Sequence, residues 1–159
     1  MNENLSIKND IISQVLEELK EKSITVNQQI DQTRKDVIKA PSRMESRYDS
    51  SRQELSYLAQ GYQKKLLEIE KDIEILKNFE TKENCQEVSV GSLVKIKRDS
   101  EYINYLILPV GGGIVINNPK IGKVIVVTPK APFATSIIGK KINDSITINL
   151  KKMHLISIT

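Results

Sequence analysis

One proline divides the first half of this sequence into two stretches that match each other when read in opposite directions. Pro41 stands in "DVIKAPSRMESRYD", with helical patterning on both sides. Upstream, a seam runs through Ile12, Leu16, Leu19, Ser23, Val26, Ile30, Thr33 and Val37 in steps of four and three, the period of a coiled coil. Downstream, a second seam runs through Met44, Tyr48, Ser51, Leu55, Leu58, Tyr62, Leu66, Ile69, Ile73 and Leu76, with one extra residue between Tyr62 and Leu66. Val37 with Met44, Thr33 with Tyr48, Ile30 with Ser51, Val26 with Leu55 and Leu19 with Tyr62 each lie symmetrically about residues 40 and 41. A chain that turns back at that point brings both seams together, so the pattern predicts an intramolecular, antiparallel coiled-coil hairpin and a monomer. From Ile12 to Val37 the hairpin would extend about 40 Å at the helical rise.

The bend has its own chemistry. Proline lacks an N–H and clashes with the preceding turn, so it stops the first helix. Ser42 and Glu45 form the S-x-x-E spacing of a capping box and would start the second. The connection is short enough to force antiparallel neighbours. Around it, Arg34, Lys35, Lys39, Arg43, Arg47 and Arg52 are opposed only by Asp36, Glu45 and Asp49. The hairpin therefore has a basic tip, suited either to a phosphate or carboxylate-lined site or to a solvated helix surface.

The period changes after about residue 86. "VSVGSLVKIK", "YINYLILPV", "GIVINN", "KVIVVTP", "SITINL" and "HLISI" are short β-branched runs separated by Gly, Pro, Asn and Asp, the pattern of strands and turns. The expected organisation is α+β. It has a helical hairpin over residues 1–80, a polar linker over 81–87 and a small β-rich domain over 88–159. Charge divides with it. Residues 1–84 carry 14 Lys/Arg against 16 Asp/Glu, and residues 85–159 carry 10 against 4. The β-rich part should favour an acidic surface or nucleic acid, or be basic for solubility alone.

Catalytic constellations are not evident. His154 is the one histidine and Cys85 the one cysteine, so no triad, disulfide frame or His/Cys metal cluster can be assembled. "PVGGG" lacks the G-x-G-x-x-G spacing and precedes a β-branched run, so it reads as a turn; so does Gly139-Lys140. "RDSEY" reads as a hairpin turn. We expect no catalytic residues, no metal and no cofactor. The opening "MNENLSIKND" lacks the build of an export signal, and no apolar run is long enough for a membrane span, so a cytoplasmic protein is expected.

"VSVGSLVKIK" resembles the V-x-x-G-S-x-V strand that opens the C-terminal domain of the bacterial Gre transcript-cleavage factors. "VVTPKAPFATSIIGKKINDSITI" resembles that family's S-P-x-A-x-A-L-I-G-K-x-x-G-D-x-V segment. The matching residues are Gly91, Ser92, Pro129, Pro132, Ile137, Ile138, Gly139, Lys140, Asp144 and Ile146; Asn143 stands where the family usually has Gly. The resemblance implies an FKBP-like fold for the β domain. It implies RNA polymerase core as partner, with the coiled coil in the secondary channel and the β domain on the channel rim. It places Pro129, Pro132, Phe133, Ile137, Ile138 and Lys140 at the rim, and Lys39, Arg43, Glu45, Arg47 and Asp49 inside the channel near RNA or nucleotide. The family tip carries acids that help hold a catalytic Mg²⁺. Aligning the family's tip tyrosine on Tyr48 puts Pro41 and Met44 at those acidic positions. That departure implies a regulator that modulates or inhibits polymerase rather than one that stimulates RNA cleavage. The alternatives are a coiled-coil adaptor or self-association module and, from the implied fold alone, a prolyl isomerase.

Overall fold

The computed structural model describes residues 3–40, 50–81, 85–148 and 150–159. Two long helices, α1 (Glu3–Lys39) and α2 (Ser51–Lys77), form a helical hairpin. They are followed by β1 (Leu93–Arg98), β2 (Glu101–Ile107), β3 (Val115–Asn118), β4 (Gly122–Val127), α3 (Pro132–Ile137), β5 (Ser145–Ile148) and β6 (Lys151–Ile158). Each of the six β-branched runs contains one strand, and the class is α+β. The chain divides into two compact units. One comprises Leu19–Glu74; the other comprises Met1–Glu18 with Ile75–Thr159.

In the Leu19–Glu74 unit, Leu19, Val26, Ile30 and Thr33 are buried, and Ser23 and Val37 are half-buried. This is the four-three seam of α1. Thr33 is accommodated there because its hydroxyl donates to the Gln29 carbonyl at 2.7 Å, which satisfies the buried oxygen. The seam of α2 differs from the expected one. Leu58 is 47% exposed and Ser51 is exposed, whereas Leu55, Ala59, Tyr62 and Leu66 are half-buried and Ile69 is buried. The steps 55, 59, 62, 66, 69, 73 alternate four and three without interruption, so no extra residue is needed. A small Ala59 holds the phase, and the larger Leu58 one position earlier lies off the seam.

The other unit is built on a six-stranded mixed sheet in the order β3-β4-β2-β1-β6-β5. β1 and β2 form a hairpin with Arg98 opposite Glu101, and Asp99 takes the positive φ of 55° that the two-residue turn requires. β4 pairs with β2 in parallel, and the remaining neighbours are antiparallel. One sheet face carries a core cluster in which Val94, Ile96, Ile107, Ile146, Met153, Leu155 and Ile158 pack with Val88 and with Ile137 of α3; on the other face Leu93, Leu106, Ile116, Val124 and Val126 are buried as well. The first turns of α1 belong to this unit as well. Ile7, Ile11 and Val15 recur every four residues and are buried, and a side chain at Gly111 would meet Val15 Cγ1 at 3.0 Å. α1 thus buries Ile11 in addition to the neighbouring seam residue Ile12, a second stripe that the seam reading did not include.

Candidate functional site

Of the residues expected at the hairpin tip, Arg43, Glu45, Arg47 and Asp49 lie outside the described residues, as do Pro41, Ser42, Met44 and Tyr48. Lys39 is described. It is the last residue of α1 and is exposed, as are Arg34, Lys35 and Arg52 on either side of the bend. The nearby carboxylates face neutral donors: Asp36 accepts from Gln32 Nε2 at 3.0 Å, and Glu54 accepts from the Ser50 hydroxyl at 2.8 Å.

The residues expected at a partner's rim come together around α3, an element the strand-and-turn reading of this segment did not anticipate. Ala131 is extended (φ −66°, ψ 138°), as a residue before proline prefers, and Pro132 occupies the first turn, where its missing N–H costs nothing. The Thr135 hydroxyl donates to the Ala131 carbonyl at 3.1 Å. After six residues the helix stops at a tight turn. Ile138 (φ −56°, ψ 134°) and Gly139 (φ 80°) have the angles of a type II turn, closed by Lys140 N–H to the Ile137 carbonyl at 3.0 Å. Gly91 sits in a matching turn. Its φ is 93°, Ser92 N–H donates to the Ser89 carbonyl at 3.0 Å, and the Ser92 hydroxyl accepts from Ser89 N–H at 3.0 Å. Val88 joins the two turns: its N–H donates to the Lys140 carbonyl and its carbonyl accepts from Gly139 N–H, both at 2.8 Å.

A third turn follows. Asp144 N–H donates to the Lys141 carbonyl at 3.0 Å, and the Asp144 carboxylate accepts from Lys141 N–H at 2.8 Å. Asn143 has φ 73°, and its N–H donates to Leu155. The G-S, G-K and N-D pairs of the two motifs are therefore turn chemistry. Each needs a residue that tolerates positive φ, and Asn is the commonest substitute for Gly there.

This framework sorts the expected rim residues. Ile137 is fully buried and holds α3 against the sheet, so it does not face outward. Pro132, Ile138 and Lys140 are exposed, while Pro129 and Phe133 are half-buried. The Phe133 ring lies 4.1 Å from that of Tyr105, tilted by 33°, which anchors α3 from its first turn. Burial pushes the Tyr105 phenol above its ordinary pKa, opposed by the nearby Arg98 guanidinium. The exposed group combines apolar Pro132 and Ile138 with basic Lys140 on a hydrogen-bonded frame. Among the described residues, no group of three or more His, Cys, Asp or Glu could hold a metal ion. No helix among them is long and apolar enough to cross a membrane. His154 is exposed, and Cys85 is half-buried, with its sulfur 3.8 Å from the Ser89 hydroxyl.

No protein-family model matches the chain, and no curated protein matches it. Among solved structures it is similar to the GreA factor homolog 1 (Gfh1) protein of Thermus thermophilus, at 15% identity and a TM-score of 0.37, over 91% of this chain and 94% of that one. It is also similar to Thermus aquaticus Gfh1, at 16% identity and a TM-score of 0.37, over 89% and 92% of the two chains. A further structure of the transcription factor Gfh1 matches at 14% identity and a TM-score of 0.39, over 90% and 92%.

Proposed function

We propose that this protein is a Gre-like regulator that binds RNA polymerase core, docks the exposed group around α3 on the rim of the secondary channel and modulates or inhibits the enzyme from within that channel. The observation that carries this reading is the fit between motif and backbone. Gly91, Gly139 and Asn143, which stand at the glycine positions of the two Gre-like motifs, all have positive φ and all close hydrogen-bonded turns. The glycine positions of the motifs thus fall where this backbone needs a left-handed residue, and the motifs follow a helical hairpin in the order that the Gre resemblance implies. The regulator itself is non-catalytic. Lys39 and the flanking Arg34, Lys35 and Arg52 give the described tip region a positive surface, suited to phosphate or to carboxylates near a catalytic centre.

A transcript-cleavage assay on stalled elongation complexes tests the proposal. The native chain should slow nucleotide addition and give no cleavage above background. A Pro41→Asp, Met44→Glu variant, which restores two carboxylates for Mg²⁺, should gain cleavage. Cleavage stimulated by the native chain, or no effect of it on elongation, would count against the reading.

The adaptor alternative draws on exposed large apolar residues of the two helices, Ile24 and Ile38 of α1 and Tyr57, Leu58, Leu67 and Ile75 of α2. Ile24 with Ile38, and Tyr57 with Ile75, project within about 40° of each other around their helices. The polymerase reading stands ahead of it because it also accounts for the turn motifs of the β-rich unit.

A further inference from the structure

The sheet face opposite the α3 core carries a second surface that the polymerase reading leaves unused. In β1, Lys95 and Lys97 alternate with the buried Val94 and Ile96 and point to this face, about 6.8 Å apart along the strand. Their cross-strand partners in β2 are Asn104 and Tyr102. On the other side, His154 of β6 stands opposite Lys97, and Ser157 opposite Lys95. Lys152 lies two residues from His154 along the same strand. The positions that strand register brings to this part of the face, 95, 97, 102, 104, 145, 147, 152, 154 and 157, include no Asp or Glu. No described carboxylate forms an ion pair with Lys95, Lys97 or Lys152; the ion pair found among the described residues joins Lys120 to Glu3.

An aromatic ring sits among these charges. Tyr102 is 56% exposed, and the ammonium groups of Lys95 and Lys97 lie 5.1 and 5.8 Å from its ring centre. Cations over an exposed ring are a weak arrangement in water, and both can turn outward to an anion. Next to it is a hollow of about 300 Å³ between the first turn of α1 and the sheet, lined by Asn4, Lys95, Asn104, Lys120 and Ser157 among others, with Lys120 paired to Glu3.

We infer that this face binds single-stranded nucleic acid, with Lys95, Lys97 and Lys152 on phosphates and Tyr102 stacking a base. Charge complementarity selects a polyanion. The exposed ring selects one with unpaired bases, because stacking on an aromatic platform is open to every base in a single strand and closed to a duplex. An acidic protein would use the lysines and gain little from the exposed ring among them. The inference does not rest on polymerase binding. It is tested without polymerase, so either reading can fail alone.

The test is fluorescence anisotropy of the full chain with a labelled 12-nucleotide single strand, titrated at several salt concentrations. Lys95→Gln with Lys97→Gln should weaken binding at least tenfold at low salt. It should also reduce the slope of log affinity against log salt by about 1.4, the share of two phosphate contacts on a single strand. Tyr102→Ala should weaken binding at least fivefold and leave that slope unchanged. Lys64→Gln with Lys65→Gln, the same loss of charge on α2, should leave binding within twofold. A duplex of equal length should bind more weakly than the single strand. Equal weakening by the two lysine pairs would overturn the proposal, because it would reduce the effect to net charge. A neutral Tyr102→Ala would also overturn it, and so would duplex binding as tight as single-strand binding. Preference for polyglutamate over the single strand would assign the face to an acidic protein instead.

Discussion

The Lys8 ammonium donates to the Gly91 carbonyl oxygen at 3.3 Å, and Lys8 is fully buried. A lysine of the first helical turns thus holds the backbone of a turn more than eighty residues later, at the start of the first strand. The Phe79 ring closes the same spot, since a side chain at Gly91 would meet it at 3.3 Å. Lys8→Ala removes both the donor and the packed stem, and should cost on the order of 2–4 kcal/mol. Lys8→Met keeps the stem and sheds a charge that is costly to bury, so it should cost less than Lys8→Ala. Urea denaturation of the three proteins checks the order; an alanine variant as stable as the methionine one would mean that the stem contributes nothing.

Asn143 occupies its turn with φ 73°. Asn143→Gly should change stability by less than about 0.5 kcal/mol, because relief of the left-handed backbone is offset by greater freedom of the unfolded chain. Asn143→Val should cost about 1–2 kcal/mol, since a β-branched residue rarely adopts this conformation. Thermal melts that ranked valine with glycine would remove the turn-based account of the second motif.

The phase of the α2 seam gives a paired test. Ala59→Glu places a carboxylate on the seam and should destabilise the hairpin by about 1–3 kcal/mol. Leu58→Glu, one position earlier and off the seam, should stay within about 0.5 kcal/mol. Helical ellipticity against temperature distinguishes them, and the reverse ranking would restore Leu58 to the seam.

Asp72 supplies a pH signature. Its carboxyl is pushed above its ordinary value of 3.8, first by burial and then by Glu68 one turn away, with Lys71 opposing. The folded state therefore keeps a proton that the unfolded state releases. Stability falls as pH rises from the ordinary value through the raised one, and stays lowered above it. Asp72→Asn should raise the melting temperature at pH 7, and the gain should shrink towards zero near pH 3. A gain that is constant with pH would assign the effect to something other than charge.

Much of this was legible in sequence, and the gaps have physical causes. Pro41 and two matched seams give the hairpin, because helix pairing is written in spacing. Six β-branched runs give six strands, and "RDSEY" gives the β1–β2 turn. Ala59 was hidden because a four-three seam is most easily followed through its largest residues. α3 was hidden because six residues are too few to show a helical period; Pro132 ahead of Gly139 was its one local sign. The role of Lys8 depends on a contact made across the whole chain, which no local pattern encodes. The basic face was written in the alternation of "VKIKR", but its emptiness of carboxylates appears only once β5 and β6 are placed beside β1.

The most direct test of the central claim is co-elution of the full chain with core RNA polymerase in size-exclusion chromatography, comparing the native protein with Ile138→Asp. Ile138 is 39% exposed at the end of α3, so the substitution should leave the fold intact. The account predicts that the native chain travels with polymerase and that the variant elutes alone, with an unchanged melting temperature. A native chain that elutes apart from polymerase, or a variant that still travels with it, would contradict the claim.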